Sequence, residues 1–89
     1  MDAVEIKGKI KEIIANVTSI DPAEIGDTAS FTRDLNLDSL SLLEIGVDVD
    51  YEFQLGLPEE RMRGMDTVEQ TLALVQDRLA EKSGEAEVA

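Results

Sequence analysis

The chain has 89 residues, of which 43% are hydrophobic, and it contains no cysteine and no histidine. This length allows one small domain with a modest core and is too short for two domains. The absence of cysteine excludes disulfides, thiolate metal sites and thiol catalysis. No apolar run approaches the roughly 18 residues of a membrane span, and the first residues lack the features of a secretory signal. We therefore expect a cytoplasmic protein without membrane insertion.

The charge is strongly acidic, with 20 acidic and 8 basic residues and a net charge of −12. Such a field repels nucleic acid and anionic lipid and favours encounter with basic protein surfaces. The acids are unevenly placed, because residues 34–60 include eight acids and no Lys or Arg. If the acidic residues served only solubility, both signs of charge would be expected throughout the chain, including this segment. The charge pattern predicts protein partners with basic patches and excludes nucleic acid.

The first third of the chain predicts one helix and a long connection. Helix I is predicted to start at Asp2, with Glu5 as its capping-box partner, and to fade at residues 16–18. A connection over residues 19–37 follows, and it includes a predicted helical turn at residues 21–24. Loops of this length are uncommon in compact domains unless they are anchored. Apolar residues can anchor this one in the core: Ile20, Ile25, Phe31, Leu35 and Leu37.

The remaining helices are predicted from caps and helical spacing. Helix II is predicted over residues 39–53 with Asp38 as its N-cap, and a short helix III over residues 59–63. Asp66 is predicted to cap the last helix, with Glu69 as its capping-box partner.

Domain organisation follows from these elements. No segment alternates with period two, so the sequence predicts an all-α four-helix bundle with three longer helices, one short helix III and a long ordered loop between helices I and II. The bundle is predicted to span residues 1–82. Residues 83–89 show no periodicity and are predicted to form a disordered acidic tail.

Helix II shows two apolar stripes when it is drawn as a helical wheel. The core stripe comprises Leu42, Ile45, Gly46, Val49 and Phe53. The second stripe comprises Leu40, Val47 and Tyr51, with Glu44, Asp48 and Asp50 along its edges. Because a bundle helix needs only one apolar stripe, the second one predicts a docking face for a partner with an apolar groove and a basic rim. The alternative, in which these side chains are buried against helix III or the long loop, stays open.

Two single residues on helix II are notable. Gly46 costs about 1 kcal/mol relative to Ala inside a helix, which predicts a close neighbour at that point. Ser39 is predicted at the first helical position with an exposed hydroxyl, where free N–H groups and the helix dipole would favour a phosphate by roughly 0.3–1 kcal/mol. A serine nucleophile would need a base, and without histidine the usual base is missing. We therefore expect a non-catalytic protein in which Ser39 is either an attachment point or a capping residue.

Residues 35–40, with the sequence Leu-Asn-Leu-Asp-Ser-Leu, followed by a helix with Glu44, resemble the attachment motif of acyl carrier proteins. The resemblance extends over residues 2–82 and includes the turn at residues 21–25, Phe31 and Phe53. It implies that Ser39 receives 4′-phosphopantetheine through a phosphodiester and that Asp38 helps to present the site. It also implies a free-standing carrier, expected to be a monomer, that holds acyl intermediates as thioesters.

The resemblance implies partners as well. A phosphopantetheinyl transferase would load Ser39, and enzymes that load, elongate or transfer acyl chains would bind through basic docking patches. Four residues match positions where family members contact partner enzymes: Leu40, Glu44, Val47 and Asp50. Asp48 and Tyr51 are added from the helical wheel. The cargo chain of such proteins can fold into a cavity between helices II and III, and Gly46 is expected near its mouth.

Departures from the family pattern leave the pathway open. Ser41 and Leu42 stand where fatty-acid carriers often have an acid and then Thr or Ser, and Gly46 replaces a larger apolar residue. Fatty acid, polyketide and related specialised pathways are therefore all compatible with the sequence. A peptidyl or aminoacyl carrier of the same fold and an adaptor helix bundle are alternatives.

A calcium-binding protein is the alternative from another class. Asp48, Asp50, Glu52 and Glu59 have the spacing of positions 1, 3, 5 and 12 of an EF-hand-like loop. Phe53 stands, however, at the position where such a loop requires glycine.

Overall fold

The computed structural model describes the backbone of residues 2–88 and the side chains of residues 2–83. Every regular element in this part of the chain is helical, which confirms the predicted all-α fold. The elements in chain order are helix α1 (Ala3–Thr18), a 3-10 turn (Pro22–Glu24), helix α2 (Ser39–Phe53), helix α3 (Glu59–Met62) and helix α4 (Val68–Val88).

Helix α1 begins and ends as its sequence predicts. The Asp2 carboxylate accepts a hydrogen bond from the backbone N–H of Glu5 at 2.9 Å, which satisfies one of the free donors of the first turn. Ser19 ends the helix in the left-handed conformation, with φ 66°. The buried stripe of α1 faces α2 and α4, and its members are Ile6, Ile10 and Ile14.

The long connection between α1 and α2 is ordered by two buried anchors and a carboxylate. Ile25 and Phe31 are almost completely buried in the core that the four helices share. The carboxylate of Asp66 accepts hydrogen bonds from the Ser30 hydroxyl at 2.6 Å and from the Thr32 hydroxyl at 3.0 Å. These hydrogen bonds lower the pKa of Asp66, and the bond from Ser30 has the largest effect.

The prediction that Asp66 caps the last helix is wrong. Thr67 takes this role, because its hydroxyl accepts a hydrogen bond from the backbone N–H of Gln70 at 3.0 Å. The side chain of Asp66 is engaged by the loop instead, and Glu69 makes no capping-box contact with it. Asp66 therefore ties the start of α4 to the loop that leads to α2.

Helix α4 closes the bundle and buries Val68, Thr71 and Val75 against the core. Its helical bounds extend to Val88. The side chains of residues 84–89, which make up most of the predicted disordered tail, lie outside the described residues. The predicted boundary after residue 82 and the disorder of residues 83–89 stay predictions.

Candidate functional site

The segment before Ser39 is held in place by its backbone. Asn36 adopts a left-handed conformation with φ 55°, which Asn tolerates better than most residues. The next residue, Leu37, donates its N–H to the carbonyl of Phe31 at 2.9 Å and packs against the core. The turn at Asn36 therefore brings the chain from the buried loop to the exposed start of α2.

Asp38 caps α2, as predicted. Its carboxylate accepts a hydrogen bond from the backbone N–H of Ser41 at 2.8 Å. This bond is the main reason why the pKa of Asp38 lies below its usual value, with a side-chain bond from Ser41 as the second cause. Asp38 is therefore ionised at neutral pH and takes up the capping role that Ser39 could otherwise have had.

Ser39 is the first residue of α2 and is exposed. Its hydroxyl makes none of the hydrogen bonds found among the described side chains. Because Asp38 already caps the helix, the alternative of Ser39 as a capping residue has no support in the geometry. An exposed hydroxyl without an internal partner is chemically available for attachment.

A cavity of about 370 Å³ adjoins Ser39 between α2 and α3. The α2 side is lined by Ser39, Leu40, Leu42 and Leu43, and the α3 side by Glu59, Met62 and Arg63. The walls are mainly apolar and the rim carries a hydroxyl, a carboxylate and a guanidinium. This set of groups fits a phosphodiester-linked arm: a hydroxyl for the ester, a cation for the phosphate and an apolar space for the attached chain.

The close neighbour that Gly46 was predicted to have is Met62 of α3. A Cβ at position 46 would lie 3.1 Å from both Cβ and Cγ of Met62. Gly46 thus lets α3 pack closely on α2 at Met62, which lines the cavity, whereas Gly46 itself is not one of the lining residues, so its expected place at the mouth is not supported. Both residues are buried.

The outer face of α2 is exposed, as the docking hypothesis requires. Leu40 is 64% exposed, Val47 50% and Tyr51 84%. The alternative, in which this stripe is buried against α3 or the loop, is therefore wrong. Glu44 and Asp48 are exposed beside the stripe, and neither takes part in an ion pair among the described side chains. We call these five residues the α2 face: Leu40, Glu44, Val47, Asp48 and Tyr51.

Asp50 has a role inside the chain that its sequence position did not reveal. Its Oδ1 accepts hydrogen bonds from the backbone N–H of Gly56 at 2.6 Å and of Leu57 at 3.3 Å. Asp50 therefore organises the turn between α2 and α3, and the turn also needs the left-handed Gly56, with φ 67°. Its place in a partner surface stays a prediction.

The spacing that resembled an EF-hand does not correspond to a calcium loop. Asp48, Asp50 and Glu52 lie within the regular helix α2, and Glu52 forms an ion pair with Lys9 at 3.1 Å. Among the described residues no group of three or more acidic side chains is arranged to hold a metal ion. The calcium-binding alternative is therefore not supported by the geometry.

Five residues of the cavity were not predicted as site residues from the sequence: Leu42, Leu43, Glu59, Met62 and Arg63. The spacing of Glu59 and Arg63, four residues apart, could have indicated their ion pair, which the structure shows at 2.9 Å. No local pattern indicates that this pair lies on the same cavity as Ser39.

Comparison with known proteins identifies the class. The family model of the phosphopantetheine attachment site matches residues 8–75. The meromycolate extension acyl carrier protein of Mycobacterium tuberculosis is 42% identical over 82 residues, which are 92% of this chain and 70% of that protein. The acyl carrier protein of Thermosynechococcus vestitus is 35% identical over 80 residues, which are 90% of this chain and 99% of that protein.

Solved structures show the same fold. The acyl carrier protein of Enterococcus faecalis superposes with a TM-score of 0.72 at 26% identity, and the match covers 88% of this chain and 99% of that one. The apo doublet acyl carrier protein from prodigiosin biosynthesis gives a TM-score of 0.76, also at 26% identity, over 86% of this chain and 38% of that one.

The fold and the family match define a carrier protein with a phosphopantetheine attachment site. The chain belongs to the acyl carrier proteins, and the predicted carrier role and the covalent 4′-phosphopantetheine are thereby confirmed. The family is one of carriers, which interact with a phosphopantetheinyl transferase and with acyl-handling enzymes. None of the helices in the described part of the chain has the length and apolarity that crossing a membrane requires.

Proposed function

We propose that Ser39 is the attachment residue for 4′-phosphopantetheine. The observation that carries the proposal is an exposed hydroxyl without an internal partner, at the first position of α2 and beside the cavity between α2 and α3. Ser39 also lies inside the part of the chain that the family model matches. Asp38 supports the site by capping the helix, so that the hydroxyl of Ser39 stays available.

The arm, when attached, supplies a terminal thiol on which an acyl group is held as a thioester. The chain itself contributes neither Cys nor His, and we propose that it acts without catalysis of its own. Its residues hold and present the cargo. Leu42, Leu43 and Met62 offer apolar walls that shield a bound chain from water.

We propose that the α2 face binds the partner enzymes. The exposed apolar stripe supplies buried area on docking, and the unpaired carboxylates of Glu44 and Asp48 steer the encounter with basic patches. Exposed charge pairs contribute little each, so these complexes are expected to be weak and sensitive to salt. A weak complex suits a monomeric cytoplasmic carrier that visits several enzymes in turn.

We propose acyl-chain extension as the process that this carrier serves. The support is the named role of relatives with 42% identity, which are meromycolate extension carriers. A peptidyl or aminoacyl cargo has no comparable support. The departures at Ser41, Leu42 and Gly46 favour a specialised carrier within this process.

Intact mass spectrometry tests the attachment. The chain is incubated with coenzyme A and a phosphopantetheinyl transferase, and one phosphopantetheine is expected to add to the wild type and none to S39A. S41A is the matched control, because Ser41 lies in the same turn of α2, and it is expected to be loaded like the wild type. Loading of S39A, or no loading of the wild type, would contradict the proposal.

A further inference from the structure

Arg63 carries the positive charge at the cavity that adjoins Ser39. It follows directly on α3, and its side chain lines the cavity together with Ser39 and Glu59. Its Nη2 lies 2.9 Å from Oε1 of Glu59, one helical turn earlier. The two side chains are 75% and 55% exposed.

This ion pair is of a kind that opens easily. Exposed pairs with this spacing contribute little to stability, since water screens the attraction and two long side chains lose freedom. Arg63 can therefore exchange the carboxylate of Glu59 for another anion at little cost. Arg61, two residues earlier, points elsewhere and pairs with Glu81 on α4 at 3.0 Å.

A phosphodiester on Ser39 would enter an acidic neighbourhood. Asp38 is the preceding residue and is ionised, and Glu44 and Glu59 are exposed acids on α2 and α3. These carboxylates would repel the negative charge of the phosphodiester, and a nearby cation is needed to offset this repulsion. The planar guanidinium of an arginine can bind phosphate oxygens through two parallel hydrogen bonds. The exposed ion pair with Glu59 is too weak to prevent Arg63 from doing so.

We propose that Arg63 binds the phosphodiester of the arm and thereby orients the arm over the cavity between α2 and α3. This inference rests on the proposed attachment at Ser39. In the unmodified chain Glu59 holds the guanidinium in place, and on modification Arg63 leaves Glu59 for the phosphate. Arg63 is thus a positioning residue that acts on the prosthetic group.

Phosphorus NMR of the loaded chain tests the inference. Wild type, R63Q and R61Q are loaded, and intact mass confirms one phosphopantetheine on each before the spectra are compared. We expect the phosphodiester resonances of wild type and R61Q to coincide, and that of R63Q to move towards the resonance of a phosphopantetheinyl peptide. In the wild type, the Nε–H cross-peak of Arg63 is expected to shift on loading and that of Arg61 to stay in place.

The outcomes separate the two proposals. A wild-type chain that takes up no phosphopantetheine contradicts the attachment at Ser39, and the role of Arg63 falls with it. If all three proteins are loaded but their phosphodiester resonances coincide, the role of Arg63 alone is overturned. A displacement in R61Q as large as that in R63Q also overturns it, because the change would then report only the loss of charge on α3.

Discussion

The contact between Gly46 and Met62 makes a prediction about stability that can be worked out from the structure. Replacing Gly by Ala inside a helix stabilises it by about 0.8–1 kcal/mol through backbone entropy. At Gly8 in α1 a new Cβ would meet nothing within 4 Å, whereas at Gly46 it would lie 3.1 Å from Cβ and Cγ of Met62. The Cβ of Met62 is fixed to the backbone and cannot swing away, so α3 itself would have to move by a few tenths of an ångström.

We therefore expect opposite outcomes for two chemically identical substitutions. G8A is expected to raise the free energy of unfolding by about 1 kcal/mol and the melting temperature by about 4–8 °C. Overpacking typically costs about 1–3 kcal/mol, so in G46A the contact is expected to cancel or reverse the gain. Urea denaturation followed by far-UV circular dichroism measures both variants under the same conditions.

The variant M62A provides the decisive control. It removes Cγ and Sδ of Met62, which a Cβ at position 46 would meet at 3.1 and 3.2 Å, and keeps the contact with Cβ at 3.1 Å, although the cavity it leaves costs about 2–5 kcal/mol by itself. In the M62A background, two of the three opposing atoms are gone, so G46A is expected to be more favourable than in the wild-type chain and to recover part of the stabilisation that G8A shows. The reasoning is refuted if G46A stabilises the wild-type chain as much as G8A does, or if G46A and M62A are additive within about 0.3–0.5 kcal/mol.

Two further predictions concern charge. Lys11 and Lys7 hold the pKa of Asp27 at about 2, against an ordinary value of 3.8. The ionised carboxylate therefore stabilises the fold above about pH 4, and this contribution is lost as the pH falls towards 2. The difference in unfolding free energy between wild type and D27N is expected to vanish over this pH range, and a difference independent of pH would contradict the prediction. Glu44 forms no ion pair among the described side chains of the α2 face and is free to attract a basic patch. E44Q is therefore expected to weaken docking of a phosphopantetheinyl transferase by about 0.2–1 kcal/mol at low salt. The rate at which the transferase loads the chain measures this effect. E12Q on α1 is its control, and an equal effect of both would speak against a specific face.

Much of the local structure could be predicted from the sequence. The caps at Asp2 and Asp38, the bounds of α2 and the exposed hydroxyl of Ser39 depend on residues within one helical turn, and such short-range contacts are readable from spacing. The exposed stripe on α2 could also be predicted, because one helix period sorts its side chains into faces.

Only the tertiary structure decided which partner a polar side chain takes when several lie within reach. Asp66 has the sequence signature of a cap, yet its carboxylate bonds with Ser30 and Thr32, which are more than thirty residues away in the chain. The identity of the neighbour of Gly46 and the approach of Arg63 to the cavity of Ser39 depend in the same way on how α3 packs against α2. Spacing along the chain determines which side chains meet within one helical turn. Contacts between elements depend on how the helices pack against each other, and the sequence of one helix alone does not determine this packing.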